Sequence, residues 1–184
     1  MKLETKRLIL RGLKKTDLGS LVENINNKKV SKWLLVVPYP YTKKDAINWM
    51  NDCAKKWKRK DQVGYPFGIE LKEEKNIIGG INLMKVNKVQ GKSEVGYWLG
   101  EKYWREGYGT EALNAILGFA FNKLKLRRIE AGVVAGNPSS GKLLEKVGFK
   151  KEGYKRKAVI CSADNKIKDE IIYGLLKEEW RRIK

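Results

Sequence analysis

The chain has 184 residues, 40 Lys and Arg against 21 Asp and Glu, a formal net charge of +19, two cysteines and no histidine. That length suits one domain, 1–184, with a core of its own. The lack of histidine excludes chemistry that needs an imidazole, and two distant cysteines, Cys53 and Cys161, exclude a disulfide framework or zinc cluster.

Residues 3–11 alternate as a first strand. Thr16 is expected to cap a helix with Asp17 in its first turn and Leu18, Leu21, Val22 and Ile25 on one face. Residues 36–41, with two prolines and two tyrosines, read as a stiff loop. Thr42 and Asp45 form a capping box for a helix whose stripe is Ala46, Ile47, Trp49, Met50, Cys53, Ala54 and Trp57, core or pocket wall. Three strands follow, over 65–71, 76–86 and 93–99, and their short connections predict antiparallel neighbours. An amphipathic helix over 111–124 and a strand over 128–135 complete a βαβ unit whose parallel partner is 94–99. A helix over 138–147 is capped by Asn137, with Pro138 first and Gly148 after its end. Strands over 157–162 and 170–176 finish the chain. The expected fold is α/β (α+β), a mixed, mostly antiparallel sheet with one parallel βαβ unit and helices on both faces.

The segment that bears on function joins the third of these strands to the next helix. Trp104–Arg105–Glu106–Gly107–Tyr108–Gly109 links the strand to a helix opening at Thr110–Glu111–Ala112–Leu113. Glycines there let backbone approach a ligand, and the free N–H groups and positive dipole end of a helix favour phosphate. By contrast, Gly136–Asn137–Pro138–Ser139–Ser140–Gly141–Lys142–Leu143 imitates a nucleotide-triphosphate loop but lacks its Ser or Thr and carries Pro where an N–H is needed.

Glu94–Val95–Gly96–Tyr97–Trp98–Leu99 and the motif from Tyr103 to Ala112 resemble the acyl-coenzyme A signature of the GNAT N-acetyltransferase superfamily. Thr5–Lys6–Arg7–Leu8–Ile9–Leu10–Arg11, Ile77–Ile78–Gly79–Gly80–Ile81–Asn82–Leu83 and Asn137–Pro138–Ser139–Ser140 running into Leu144–Glu145–Lys146–Val147–Gly148–Phe149 follow the same family order. The resemblance is to the RimJ/RimL-type branch, which acetylates the amino termini of ribosomal proteins. It implies acetyl-CoA as cofactor, with coenzyme A as product, and an acceptor groove bordered by residues 36–41. It also implies cofactor contacts from Trp98, Leu99, Trp104, Arg105, Glu106, Gly107, Tyr108, Gly109, Thr110, Asn137 and Ser140, with Lys142 and Lys146 near the adenosine phosphate. Glu94 is implied as general base and Ser140 as proton donor to the thiolate. Many relatives carry a Tyr where this chain has Leu144.

The implied acceptor is a primary amine, foremost a protein N-terminal α-amine. A small amine (polyamine or aminoglycoside) and a non-catalytic basic RNA- or ribosome-binding domain are the alternatives. The +19 charge fits either an anionic partner such as ribosomal RNA or a Lys-rich surface of the kind found in heat-adapted proteins. No apolar run reaches bilayer length and no signal-peptide pattern opens the chain, so a cytoplasmic protein without membrane contact is expected. A homodimer is left open.

Overall fold

The computed structural model describes residues 1–61 and 63–183. Alternating apolar residues produce most of one eight-stranded sheet, ordered β1-β2-β3-β4-β5-β6-β8-β7. The first strand divides into β1 (Lys2–Glu4) and β2 (Leu8–Arg11), which pair antiparallel across a turn at residues 5–7. β3 (Tyr65–Leu71), β4 (Asn76–Asn87) and β5 (Lys92–Leu99) continue antiparallel, as their short connections require. β6 (Arg128–Val134) is the parallel neighbour of β5, and β8 (Lys166–Leu176) and β7 (Lys150–Cys161) close the far edge.

Helices cover both faces. α1 (Leu18–Ile25) and α3 (Lys43–Lys58) build one core around Leu21, Ile25, Tyr41 and Ala46, against which Trp49 and Trp98 pack. The short α2 (Lys28–Ser31) leads into the loop between them. α4 (Tyr108–Gly118) and α5 (Pro138–Lys146) lie on the opposite face, over a core that includes Phe67, Ile81, Val95, Leu113, Ile129 and Leu144. α6 (Lys177–Ile183) follows β8.

The structure corrects four expectations. Thr16 does not cap α1: a 3₁₀ turn, Lys15–Asp17, precedes the helix, and neither cap residue bonds through its side chain. Asp17 is instead buried against Arg11 (Nη1 to Oδ2 2.7 Å, Nη2 to Oδ1 2.9 Å) and accepts from the Lys14 N–H at 2.6 Å. Burial alone pushes its carboxyl up, but the Arg11 and Lys14 bonds outweigh it and hold the pKa below the ordinary value. The central helix begins at Tyr108, and after Gly118 its last turn widens to a π turn, Phe119–Lys123. Strand β7 begins at Lys150, seven residues ahead of the expected 157, and β8 at Lys166, four ahead of the expected 170, so the turn between them is shorter than expected. Its first half is an edge with almost every residue exposed, so no apolar alternation marks it. Finally, Ile47, 46% exposed, and Ala54, also exposed, stand outside the buried stripe of α3, whose capping box at Thr42 and Asp45 is present.

Candidate active site

The alternation of β5 sends its residues to two different places. Val95 is in the core beneath α4, with Tyr97 and Leu99 packed against it, whereas Trp98 joins the core beneath α1 and α3. Glu94 and Gly96 share the Trp98 face. The parallel ladder between β5 and β6 holds only for Lys92, Ser93 and Glu94 opposite Arg128, Ile129 and Glu130. Past Glu94 the two strands have no further register partners, so the sheet parts there. The gap between β5 and β6 beyond Glu94 is the candidate cleft.

On the α4–α5 side, the cleft leads to the glycine turn. Arg105 and Gly107 are left-handed (φ +67° and +82°), and Gly107 is the N-cap of α4. The first intrahelical bond runs from the Glu111 N–H to the Gly107 carbonyl at 3.1 Å. Among the described residues, no protein group accepts from the N–H of Arg105, Glu106, Gly107, Tyr108, Gly109 or Thr110. Six consecutive free amides, two left-handed residues and a helix dipole make a nest for phosphate oxygens. The residues therefore fit the pyrophosphate of coenzyme A.

The two glycines do different work. Gly107 supplies the left-handed cap. A Cβ on Gly109 would come 2.8 Å from Leu143 Cδ2, so its bare backbone serves the packing of α4 on α5. The Trp104 indole donates to the Leu99 carbonyl at 2.8 Å and braces the strand end against the turn. The Trp98 ring lies over Gly80 and beneath Trp49, away from the α4–α5 face. Asn137 caps α5 by accepting from the Ser140 N–H at 3.3 Å, the local role that sequence offered beside ligand binding. Lys142 and Lys146 are exposed on α5.

Ser140 meets a residue that the sequence did not single out. Its Oγ is 2.8 Å from the Tyr97 phenol oxygen, and Tyr97 also donates to the Ser140 carbonyl at 3.2 Å. Burial pushes the Tyr97 pKa up to about 12, so the phenol keeps its proton at neutral pH. A Tyr at a core-facing position of β5 was the available signal, since a buried phenol needs a partner. Leu144, at the position where many relatives carry a Tyr, is fully buried.

On the opposite face the trough past Trp98 is polar. Glu94 accepts from Lys85 Nζ at 2.8 Å, with Lys85 in a left-handed conformation (φ +51°) at an irregularity in β4. Glu130 stands beside Glu94 across the ladder, and a Cβ on the exposed Gly132 would overlap the Glu170 carboxylate. Three carboxylates therefore share this trough on a strongly basic chain, with Lys85, Arg128 and Lys155 as their partners. The segment after α2 is tied to the β7–β8 hairpin: Ser162 donates from N and Oγ to the Leu35 carbonyl (3.0 and 2.7 Å), and Lys168 Nζ donates to the Lys32 carbonyl (2.9 Å). Of the loop expected to border the acceptor, Val36 and Tyr39 are exposed, while Tyr41 is buried in the α1–α3 core and belongs to that core instead. The recess of about 540 Å³ beside Arg11, Asp17 and Glu70 lies elsewhere, and these three side chains already pair with one another.

Both cysteines are free and buried. Burial raises the Cys53 pKa to about 12 and pushes that of Cys161 upward as well. Among the described residues no group of His, Cys, Asp and Glu could hold a metal, and no helix is long and apolar enough to cross a membrane.

This geometry matches a known family. The model of the acetyltransferase (GNAT) domain matches residues 7–150. The chain belongs to the GNAT acetyltransferases. It is 31% identical over 180 residues to an uncharacterized N-acetyltransferase, p20, of Bacillus licheniformis, covering 97% of each chain. It is 28% identical over 189 residues to the [ribosomal protein uS5]-alanine N-acetyltransferase of Escherichia coli, covering 98% of this chain and 93% of that one. A crystal structure of a GNAT-family acetyltransferase from Bacillus anthracis superposes with a TM-score of 0.81 at 28% identity, covering 97% of this chain and all of the other. The mixed sheet with its one parallel pair is the fold of this family, which transfers acetyl groups.

Proposed function

We propose that this GNAT acetyltransferase binds acetyl-CoA on the α4–α5 side of the cleft and transfers its acetyl group directly to an amine entering from the Glu94 side. The observation that carries the reading is the row of unaccepted amides from Arg105 to Thr110, at one end of a cleft that starts at Glu94. Acetyl-CoA supplies the activated acetyl thioester. The amides of residues 105–110 hold its pyrophosphate, with Lys142 and Lys146 available to the adenosine phosphate. Glu94, on the face from which the amine approaches, takes the amine's proton. Tyr97, protonated and bonded to Ser140, gives a proton to the departing thiolate, directly or through the Ser140 hydroxyl. Base and acid thus act from opposite faces of one strand.

The acceptor we favour is a protein N-terminal α-amine, in line with the uS5-alanine N-acetyltransferase relative. Exposed Lys151, Arg156 and Lys157 on the β7 edge offer RNA contact near a ribosomal substrate. A second reading, a small polycationic amine, gains support from Glu94, Glu130 and Glu170 in the trough, three carboxylates that such an amine could engage in competition with Lys85, Arg128 and Lys155. A panel of N-terminal peptides, spermidine and an aminoglycoside, assayed with acetyl-CoA by release of free thiol, separates them. Peptides are expected to turn over with kcat/KM at least about tenfold above the small amines. Preference for the small amines reassigns the acceptor, and no turnover with any amine contradicts the proposal.

A further inference from the structure

The phosphate-binding turn is held by a residue far from it in sequence. Arg7 lies in the turn between β1 and β2, its carbonyl fixed by the Lys72 N–H at 3.0 Å and its own N–H donated to Glu111 Oε1 at 2.8 Å. From that anchored backbone, Arg7 Nε donates to Glu111 Oε2 (2.7 Å) and Nη1 donates to the Glu106 carbonyl (2.9 Å). The guanidinium carbon also sits 4.3 Å from the centre of the Tyr108 ring. Thr5 Oγ1 completes the set by donating to Glu111 Oε1 at 2.6 Å.

We propose that Arg7 is a positioning residue for coenzyme A, fixing the direction of the Gly107 N–H by holding the Glu106 carbonyl. The reasoning rests on the acetyl-CoA reading above and on peptide geometry. In a trans peptide the carbonyl of one residue and the N–H of the next point in opposite directions. With the Glu106 carbonyl turned toward Arg7, the Gly107 N–H must point away from it, to the side where a phosphate oxygen can accept. The left-handed residues on either side of Glu106 make this unit the one most free to flip, since Gly107 tolerates several backbone conformations. Arg7 also neutralises Glu111, a carboxylate in the first turn of α4 that would otherwise repel the incoming pyrophosphate. A fork donor is required, because one side chain must serve Glu111 and Glu106 together; lysine has the charge but not the fork.

Calorimetric titration of coenzyme A into the wild type, Arg7→Ala and Arg7→Lys tests this, with melting temperatures recorded alongside. Arg7→Ala is expected to weaken coenzyme A binding about tenfold or more, the size of one lost charge-assisted hydrogen bond. Arg7→Lys should recover much of the melting temperature but little of the affinity. On ¹⁵N-glycine-labelled protein, coenzyme A should shift the Gly107 amide proton downfield in the wild type and not in either variant. Binding by Arg7→Ala within twofold of wild type, or full recovery of affinity in Arg7→Lys, overturns the positioning role alone. Failure of the wild type to bind coenzyme A overturns the acetyl-CoA reading and the positioning role with it.

Discussion

Glu94→Gln is expected to lower turnover near neutral pH by about 10²-fold or more, while coenzyme A affinity changes little. The substitution preserves shape and can still accept the hydrogen bond that Lys85 donates at 2.8 Å, so the trough should keep its form. What it removes is the ability to take a proton. Glu94 sits where β5 and β6 part, on the face opposite α4 and α5, and the phosphate nest is on the other side. Separate locations predict separate effects: kcat falls and the dissociation constant stays. Steady-state rates and calorimetry on the same preparation check both. Activity within a factor of three of wild type would make Glu94 a structural partner of Lys85 and leave deprotonation to water or backbone.

Tyr97→Phe should cost about tenfold or more in kcat, and Ser140→Ala should cost less. The asymmetry comes from their contacts: without the Ser140 hydroxyl, Tyr97 still donates to the Ser140 carbonyl at 3.2 Å and stays in place. Without the phenol, the Ser140 hydroxyl loses its 2.8 Å partner, and the thiolate must take its proton from that hydroxyl or from water. With its pKa pushed up to about 12, Tyr97 is protonated throughout the neutral range, so its loss should appear at every pH from 6 to about 9 and not as a shifted limb. An acetyl thioester of a more acidic thiol needs less help in leaving, so it should recover much of the rate of Tyr97→Phe. Equal defects with both thioesters would place Tyr97 in the packing of β5 on α5 only.

Much of this arrangement was legible in the sequence because it depends on local rules. Alternation marked β3, β4, β5 and β6, cap chemistry marked α3 and α5, and the ordered motifs identified the acyl-coenzyme A unit. What escaped depends on distant partners. Asp17 looked like first-turn chemistry for a Thr16 cap, yet Arg11, six residues earlier, draws its carboxylate into a buried pair that also engages Glu70. Tyr97 fitted the apolar face of a strand, and only the approach of α5 gives its hydroxyl a partner 43 residues away. Arg7 and Glu111 each belong to a recognisable motif, but their contact spans 104 residues and joins the two. The early half of β7 was invisible for the opposite reason: an exposed edge imposes no pattern.

Direct transfer within one ternary complex is the central claim, and two-substrate initial rates test it most directly. With no histidine in the chain and both thiols raised by burial, a covalent acyl-cysteine has no activating group. Varying acetyl-CoA at several fixed concentrations of the best acceptor peptide should give intersecting double-reciprocal lines, and the Cys53→Ala, Cys161→Ala double variant should keep most of its activity. Parallel lines, with an acetylated cysteine in the intact-mass spectrum of enzyme incubated with acetyl-CoA alone, would contradict the account.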